Sequence, residues 1–438
     1  MADIKAFKGY RYNLKKLNDL SSVITPPYDV IDQEAQEKFY QANPFNYIRL
    51  ELGKKFPDDT NNNNVYTRAR DTFFTWVKDE ILVKEARPAL YLYQQEFQID
   101  NHTYIRTGFI TGLKAEDYSA GQVLPHEETL PKHKADRLEL MRTTQANFSP
   151  IFGLYSDPEK FIHHTLLNSV IDKKPDIEVT DWANEKHRIW VITDEKVIDT
   201  VVNKMKSMKI YIADGHHRYE TAVTYAKEMA QKGKKGYDHI MIALVNLFDD
   251  GLVVLPTHRL VKNLIDFDLS QFLDRIKTYF NVVSVPMLES KKASLNKLLS
   301  SMAKSGESNH SFGLYGGKDN LYMLELKSDR MLEEIINTDK SPAWRNLDVT
   351  ILHSLILENI LGIGEKERAS EGFLSYTRDD FYAIEAVDRG DFQLSLLMNP
   401  PKVEEVTQVA GAGEKMPQKS TFFYPKIISG LVINKLEE

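Results

Sequence analysis

No cysteine occurs among the 438 residues. Disulfides, thiolate zinc sites and a cysteine nucleophile are therefore excluded. Long apolar runs are missing as well. No stretch approaches the roughly 18 residues that a membrane-spanning helix needs. The opening MADIKAFKGY is polar and mixed, unlike a secretory signal. Basic excess is lacking too: the net charge is −7 at pH 7, so no global positive field draws the chain onto nucleic acid. A cytoplasmic protein, off the membrane and not bound to nucleic acid, is the expectation. Three common signatures are also absent. Gly411 and Gly413 do not make a Walker loop. Gly362 and Gly364 lack the third glycine of a dinucleotide turn, and no G-x-S-x-G elbow occurs. A P-loop ATPase, a standard dinucleotide fold and an α/β-hydrolase are disfavoured.

What remains has the composition of a globular protein, 42% apolar and 27% charged. Its length implies two or three domains. The pattern reads as mixed α/β. Residues 1–85 form a helical and irregular N-terminal segment, with helices over 33–41 and 65–83 and a short strand over 46–52. Residues 86–265 form a core. It opens with a β-hairpin, 89–99 and 103–113, turning at Asp100–Asn101–His102. A basic helix over 132–146 follows, then strands at 150–154, 187–194 and 239–248 and a strand with a turn over 253–260. Residues 266–340 form a small α/β subdomain. Residues 341–438 form a C-terminal α/β segment, with helices over 348–362, 378–388 and 402–410 and strands at 392–398 and 431–433.

The most informative stretch is IYIADGHHRYETA, residues 210–222. An apolar run, a glycine turn and a helical pattern (Ala222, Val223, Ala226, Met229 and Ala230) read as buried strand, tight turn and helix. The turn puts Asp214, Gly215, His216, His217 and Arg218 at a helix N-terminus, where free amides and the helix dipole favour an anion. Arg218 has the planar fork to grip a phosphate or carboxylate. Asp214 and the imidazoles can handle protons or a metal. A structural explanation stands beside this one: Asp214 as N-cap and Gly215 for turn geometry.

Other clusters carry related chemistry. His126–Glu127–Glu128–Thr129, after Pro125, pairs carboxylates with an imidazole, as a general base or a divalent cation site would. It lacks the second histidine of a zincin, and an exposed loop explains it as well. Lys132, Lys134, Arg137 and Arg142 suit either a phosphate groove or a solvated helix face. Pro256–Thr257–His258–Arg259 places another His–Arg pair at a strand end. In Met416–Pro417–Gln418–Lys419–Ser420–Thr421, a lysine and two hydroxyls suit phosphate oxygens. Pro26–Pro27–Tyr28–Asp29 is a rigid segment with one acid, by default a structural turn.

Together PPYDVI, HEET, ADGHHRYETA, LPTHR and MPQKSTFFYPK, in this order, resemble the domain-of-unknown-function 1015 family over nearly the whole chain. More narrowly, the DGHHR turn is similar to the phosphate-binding turn of ParB-like proteins. That superfamily includes CTP-binding segregation proteins, sulfiredoxin and free-serine kinases. The resemblance implies a ParB-like core near 86–265. It carries a serine-kinase aspartate onto Asp214 and an upstream glutamate onto Glu127 or Glu128. Sulfiredoxin chemistry needs a cysteine at the turn and is excluded.

The resulting expectation is phosphoryl transfer between a nucleotide and a small hydroxyl-bearing metabolite, free serine being one. Asp214 positions Mg²⁺ or the acceptor hydroxyl, and Glu127 or Glu128 takes the proton. Gly215, His216, His217 and Arg218 hold phosphate together with Arg259, Lys419 and Ser420. His216, His217 and Lys419 neutralise developing charge. Two alternatives stay open: hydrolysis of a phosphate ester, and a non-catalytic ParB-like nucleotide switch. Homo-oligomerisation is left open as well.

Overall fold

The computed structural model describes residues 2–99, 101–126, 132–287, 290–317, 320–336, 339–370 and 372–437. The chain is mixed α/β and divides into two units. One takes in Met1–Pro125, Thr129–Val253 and Phe423–Glu438; the other takes in His126–Glu128 and Val254–Phe422.

The first unit is built on a mixed sheet. The hairpin strands Leu90–Ile99 and His102–Lys114 pair antiparallel, with Tyr91 opposite Ile110, and Ile4–Lys5 adds to the second of them. Beyond Leu90–Ile99 lie Lys186–Ile192 and then Ile177–Thr180. On the other side come His239–Asn246, Ile151–Tyr155, Ile210–Asp214 and finally Val123–Pro125. Ile151–Tyr155 runs parallel to His239–Asn246 and antiparallel to Ile210–Asp214. The middle strands are buried on both faces, so Met241 to Leu244 read as one apolar run rather than an alternation. Helix His216–Gln231 sets Tyr219, Ala222, Val223 and Met229 into the core of this sheet.

A second cluster forms around the N-terminal helices. Helix Gln33–Ala42 starts where the Asp32 carboxylate accepts from the Ala35 amide. Helix Val65–Lys78 starts at a capping box of Asn64 and Thr67 and buries Ala69, Phe73 and Trp76. It stops earlier than the pattern predicts. Glu80 takes a left-handed φ of 54°, and the chain leaves as strand Leu82–Lys84 beside Tyr10–Tyr12. The strand expected at 46–52 is instead the short helix Ile48–Glu51. Asn46 decides this: its side-chain oxygen accepts from the Ile48 amide, and such a local bond competes with strand pairing. The last residues also belong to this unit. Asn434–Lys435 pairs with Ala146–Asn147, and Ile433 bridges Tyr10.

The second unit carries a wholly antiparallel six-stranded sheet. Its order is Phe280–Pro286, Asn320–Leu326, Ser311–Tyr315, Leu394–Met398, His258–Val261 and Leu374–Thr377. Helix Lys291–Ser305 packs Leu295, Leu298 and Met302 against it, and helix Asp380–Asp388 packs Ala383, Ile384 and Val387. The run 253–260 is two strands, Val253–Leu255 and His258–Val261, interrupted at Pro256, which has no N–H for the ladder. The helix expected over 348–362 forms as Asp348–Ile351 and then continues with the wider π winding over Leu352–Ile360. Among the described residues no helix is long and apolar enough to cross a membrane.

Candidate functional site

The strand–turn–helix at 210–231 positions the site. Ile210 and Ile212 are buried, so hydrophobic burial fixes the strand, and its pairing with Ile151–Tyr155 slips between Ile212 and Asp214. Gly215 follows with φ 88°, and the helix begins at His216. Glycine is required twice over here. Its φ lies in the left-handed region, and a Cβ would fall 2.9 Å from the Arg218 Nε and Nη2 atoms. Arg218 therefore folds back over the turn.

Arg218 is 7% exposed. Its Nη2 donates to Asp214 Oδ2 at 2.8 Å, and its Nη1 donates to the Pro150 carbonyl at 2.5 Å. The other Asp214 oxygen accepts from Lys426 Nζ at 2.5 Å. Asp214 is thus ion-paired on both oxygens. It is not the N-cap, a position that Gly215 fills. Burial alone would raise the Asp214 carboxyl, but Lys426 and Arg218 outweigh it and hold the pKa at about 2, with a smaller contribution from His216.

Asp29 meets this group from the N-terminal PPYD segment. It keeps solvent contact, yet it is surrounded closely enough that desolvation, and then the Asp214 charge, push its carboxyl up; Arg218 and Lys426 oppose the rise. Tyr28 beside it is raised to about 12 by burial, against the pull of Arg218 and Arg137. The Arg137 guanidinium lies 4.1 Å from the centre of the Tyr28 ring. Arg137 also pairs with Glu51 at 3.2 Å and with Asp136 at 2.6 Å. It is 7% exposed, so the solvated helix face does not describe it.

Behind Arg218 lies a cavity of about 30 Å³ lined by Glu51, Arg137, Asn147, Ser149, Arg218 and Thr221 among others. Glu51 Oε2, Asn147 Nδ2, Arg218 Nε and Thr221 Oγ1 are buried there without a protein partner. That room and those partners suit a water and not a phosphate.

The remaining sequence candidates fall as follows. His216 is buried and His217 half-buried at the start of the helix. Arg259, in the second unit, is 1% exposed. It donates to the carbonyls of Thr257 and Lys419, the latter at 3.2 Å, and contacts Met398 Sδ at 2.8 Å. Lys419 has a left-handed φ of 59°, and the Ser420 hydroxyl donates to the Pro417 carbonyl. His126 Nε2 lies 2.7 Å from Thr421 Oγ1, and its carbonyl accepts from the Met416 amide at 2.6 Å. Within the second unit, then, His126, LPTHR and MPQKST come together. Glu127 and Glu128 lie outside the described residues. Sequence reasoning gave no role to Lys426, the last residue of the MPQKSTFFYPK string, and set Asp29 aside as turn. The rigidity of Pro26–Pro27 was a usable signal for Asp29; for Lys426 only its place in that string was, its partner lying 212 residues away.

These features define a mixed α/β protein whose strand–glycine–helix corner holds an aspartate ion-paired to Arg218 and Lys426. The chain belongs to the family described as "Protein of unknown function (DUF1015)", which matches residues 4–350. Among solved structures it is similar to a conserved hypothetical protein from Pyrococcus furiosus, at TM-score 0.33 and 15% identity over 74% of this chain and 95% of that one. It is also similar to a free serine kinase in complex with AMP, at TM-score 0.35 and 14% identity over 74% and 92%. A third likeness is to SbnI with a C-terminal truncation from Staphylococcus aureus, at TM-score 0.34 and 8% identity over 73% and 85%. No curated protein matches the chain.

Proposed function

We propose that the chain is a phosphoryl-transfer enzyme working between a nucleotide and a small hydroxyl-bearing metabolite. The observation that carries this reading is the chain of ion pairs Arg218–Asp214–Lys426 at the glycine turn that opens helix His216–Gln231. Asp29, exposed and close enough for its charge to act on Arg218 and Lys426, takes the proton from the acceptor hydroxyl. Asp214 stays ionised and anchors Lys426 and Arg218, so that positive charge stands ready for the transferring group. The N-terminus of helix His216–Gln231, with His216 and His217, supplies the phosphate-holding end.

Both Asp214 oxygens are taken by Arg218 and Lys426, so that carboxylate does not stand open to Mg²⁺ in this arrangement.

Phosphorus NMR of the purified protein with ADP or ATP and a panel of hydroxylated metabolites, serine included, tests the reading. A new phosphate ester is expected only when nucleotide is present, and Asp29→Asn is expected to abolish it. Release of inorganic phosphate from esters without nucleotide would replace transfer by hydrolysis. Nucleotide binding without turnover, left unchanged by Asp29→Asn, would replace it by a binding switch.

A further inference from the structure

A separate side-chain cluster lies in the first unit, at the turn between strands Ile177–Thr180 and Lys186–Ile192. Asp181, Glu185 and His187 each bring one ligand-type atom to within 4.8 Å of the others. Their exposures are 8%, 6% and 0%. The turn preorganises the first of them: Asp181 Oδ1 accepts from the amides of Ala183 at 2.9 Å and Glu185 at 3.0 Å. His187 is fixed from behind. Its Nδ1 lies 2.8 Å from the Tyr93 hydroxyl, while its Nε2 points at Asp181 Oδ2, 3.2 Å away.

The acids of this cluster meet, among the described residues, only backbone amides, His187 and the Tyr424 hydroxyl. Among the described residues no lysine or arginine forms an ion pair with Asp181 or Glu185. Arg106 is buried close by, but its Nη atoms donate to Gln95 and to the carbonyls of Tyr424 and Pro425. Buried carboxylates are ordinarily paired or bound to a metal.

We propose that Asp181, Glu185 and His187 form a binding site for a divalent transition metal, with Zn²⁺ the best match. One imidazole nitrogen and two carboxylate oxygens make a three-ligand zinc set that keeps a further position for water. Oxygen and nitrogen ligands of tetrahedral zinc sit roughly 3.4 Å apart, so small side-chain rotations bring the three groups to the ion. The Tyr93 hydroxyl on His187 Nδ1 is the outer contact that fixes ring orientation and leaves Nε2 free for the metal. The cluster lies beside a functional segment. The Tyr424 hydroxyl interacts with Glu185, and Lys426, two residues on, is the partner of Asp214.

The test uses the full chain, stripped with chelator and titrated with Co²⁺ as a spectroscopic probe. One equivalent is expected to give visible d–d absorption that Zn²⁺ abolishes, and Zn²⁺ is expected to raise Tm. Glu185→Gln and Asp181→Asn keep the side-chain volumes and are expected to weaken binding at least 100-fold while circular dichroism stays unchanged. Should a variant unfold, a paramagnetically shifted imidazole resonance in the Co²⁺-loaded wild type decides for histidine ligation. Absence of that resonance, of Co²⁺ absorption in wild type, or of any difference in the folded variants overturns the site.

Discussion

Lys426 Nζ stands 2.5 Å from Asp214 Oδ1, across 212 residues of sequence, and both side chains are mostly buried at 17% and 16% exposure. Asp214 therefore owes its ionisation to a residue from the far end of the chain as much as to Arg218 in its own helix. Removing one partner of a buried pair leaves an uncompensated charge. Lys426→Met is expected to cost about 3 kcal/mol, read as a lower urea midpoint at unchanged slope. Asp214→Asn in the same background is expected to recover none of the loss, because buried Arg218, still paired with Asp214 in the single variant, then loses its carboxylate.

The direction of the Asp214 shift sets a pH dependence. Its folded pKa of about 2 lies below its ordinary value of 3.8. The stabilisation is thus fully present above pH 4 and is lost as pH falls through about 2. It amounts to about 2 kcal/mol. Urea titrations across that window are expected to show wild type losing this increment and Asp214→Asn losing none of it.

Asp29 has the opposite sign. Its raised carboxyl means that ionisation costs stability as pH rises past the ordinary carboxylate range. Asp29→Asn is accordingly expected to leave Tm unchanged or higher at pH 7. Turnover is expected to fall by about 10²- to 10⁴-fold, the usual contribution of a general base. A stability loss with turnover intact would make Asp29 a structural residue.

Two glycines separate backbone strain from side-chain collision. Gly215 and Gly233 have φ of 88° and 72°, but only Gly215 has neighbours within reach of an added Cβ, namely the Arg218 guanidinium. Gly233→Ala is expected to cost the left-handed penalty alone, about 1–2 kcal/mol. Gly215→Ala is expected to cost more and to raise the Asp214 pKa by displacing Arg218. Chemical denaturation of both variants, with the Asp214 carboxyl followed by carbon NMR, provides the comparison.

Where pattern and burial agreed, the sequence was readable. The hairpin 90–114 and the strand–turn–helix at 210–231 follow from alternation, glycine and helical spacing alone. Asn46 defeated the strand at 46–52 because a side-chain bond to the Ile48 amide is invisible to hydropathy. Arg137 looked like a solvated charge because its partners Glu51 and Tyr28 lie far away in sequence. Arg218 was recognisable as a site residue, yet its engagement with Pro150 and Asp214 depended on the neighbouring strand. The buried trio Asp181, Glu185 and His187 carries no spacing signature, since only the turn geometry turns the three side chains toward one another.

Ile433 and Asn434 close ladders with Tyr10 and Asn147, although more than 160 intervening residues, 254–422, belong to the other unit. During synthesis the first unit must wait, with an edge unpaired and Asp214 without its lysine, until that whole insertion has left the ribosome. Such late closure exposes the nascent chain to misassembly, and it makes the corner at Asp214 one of the last parts of the molecule to mature.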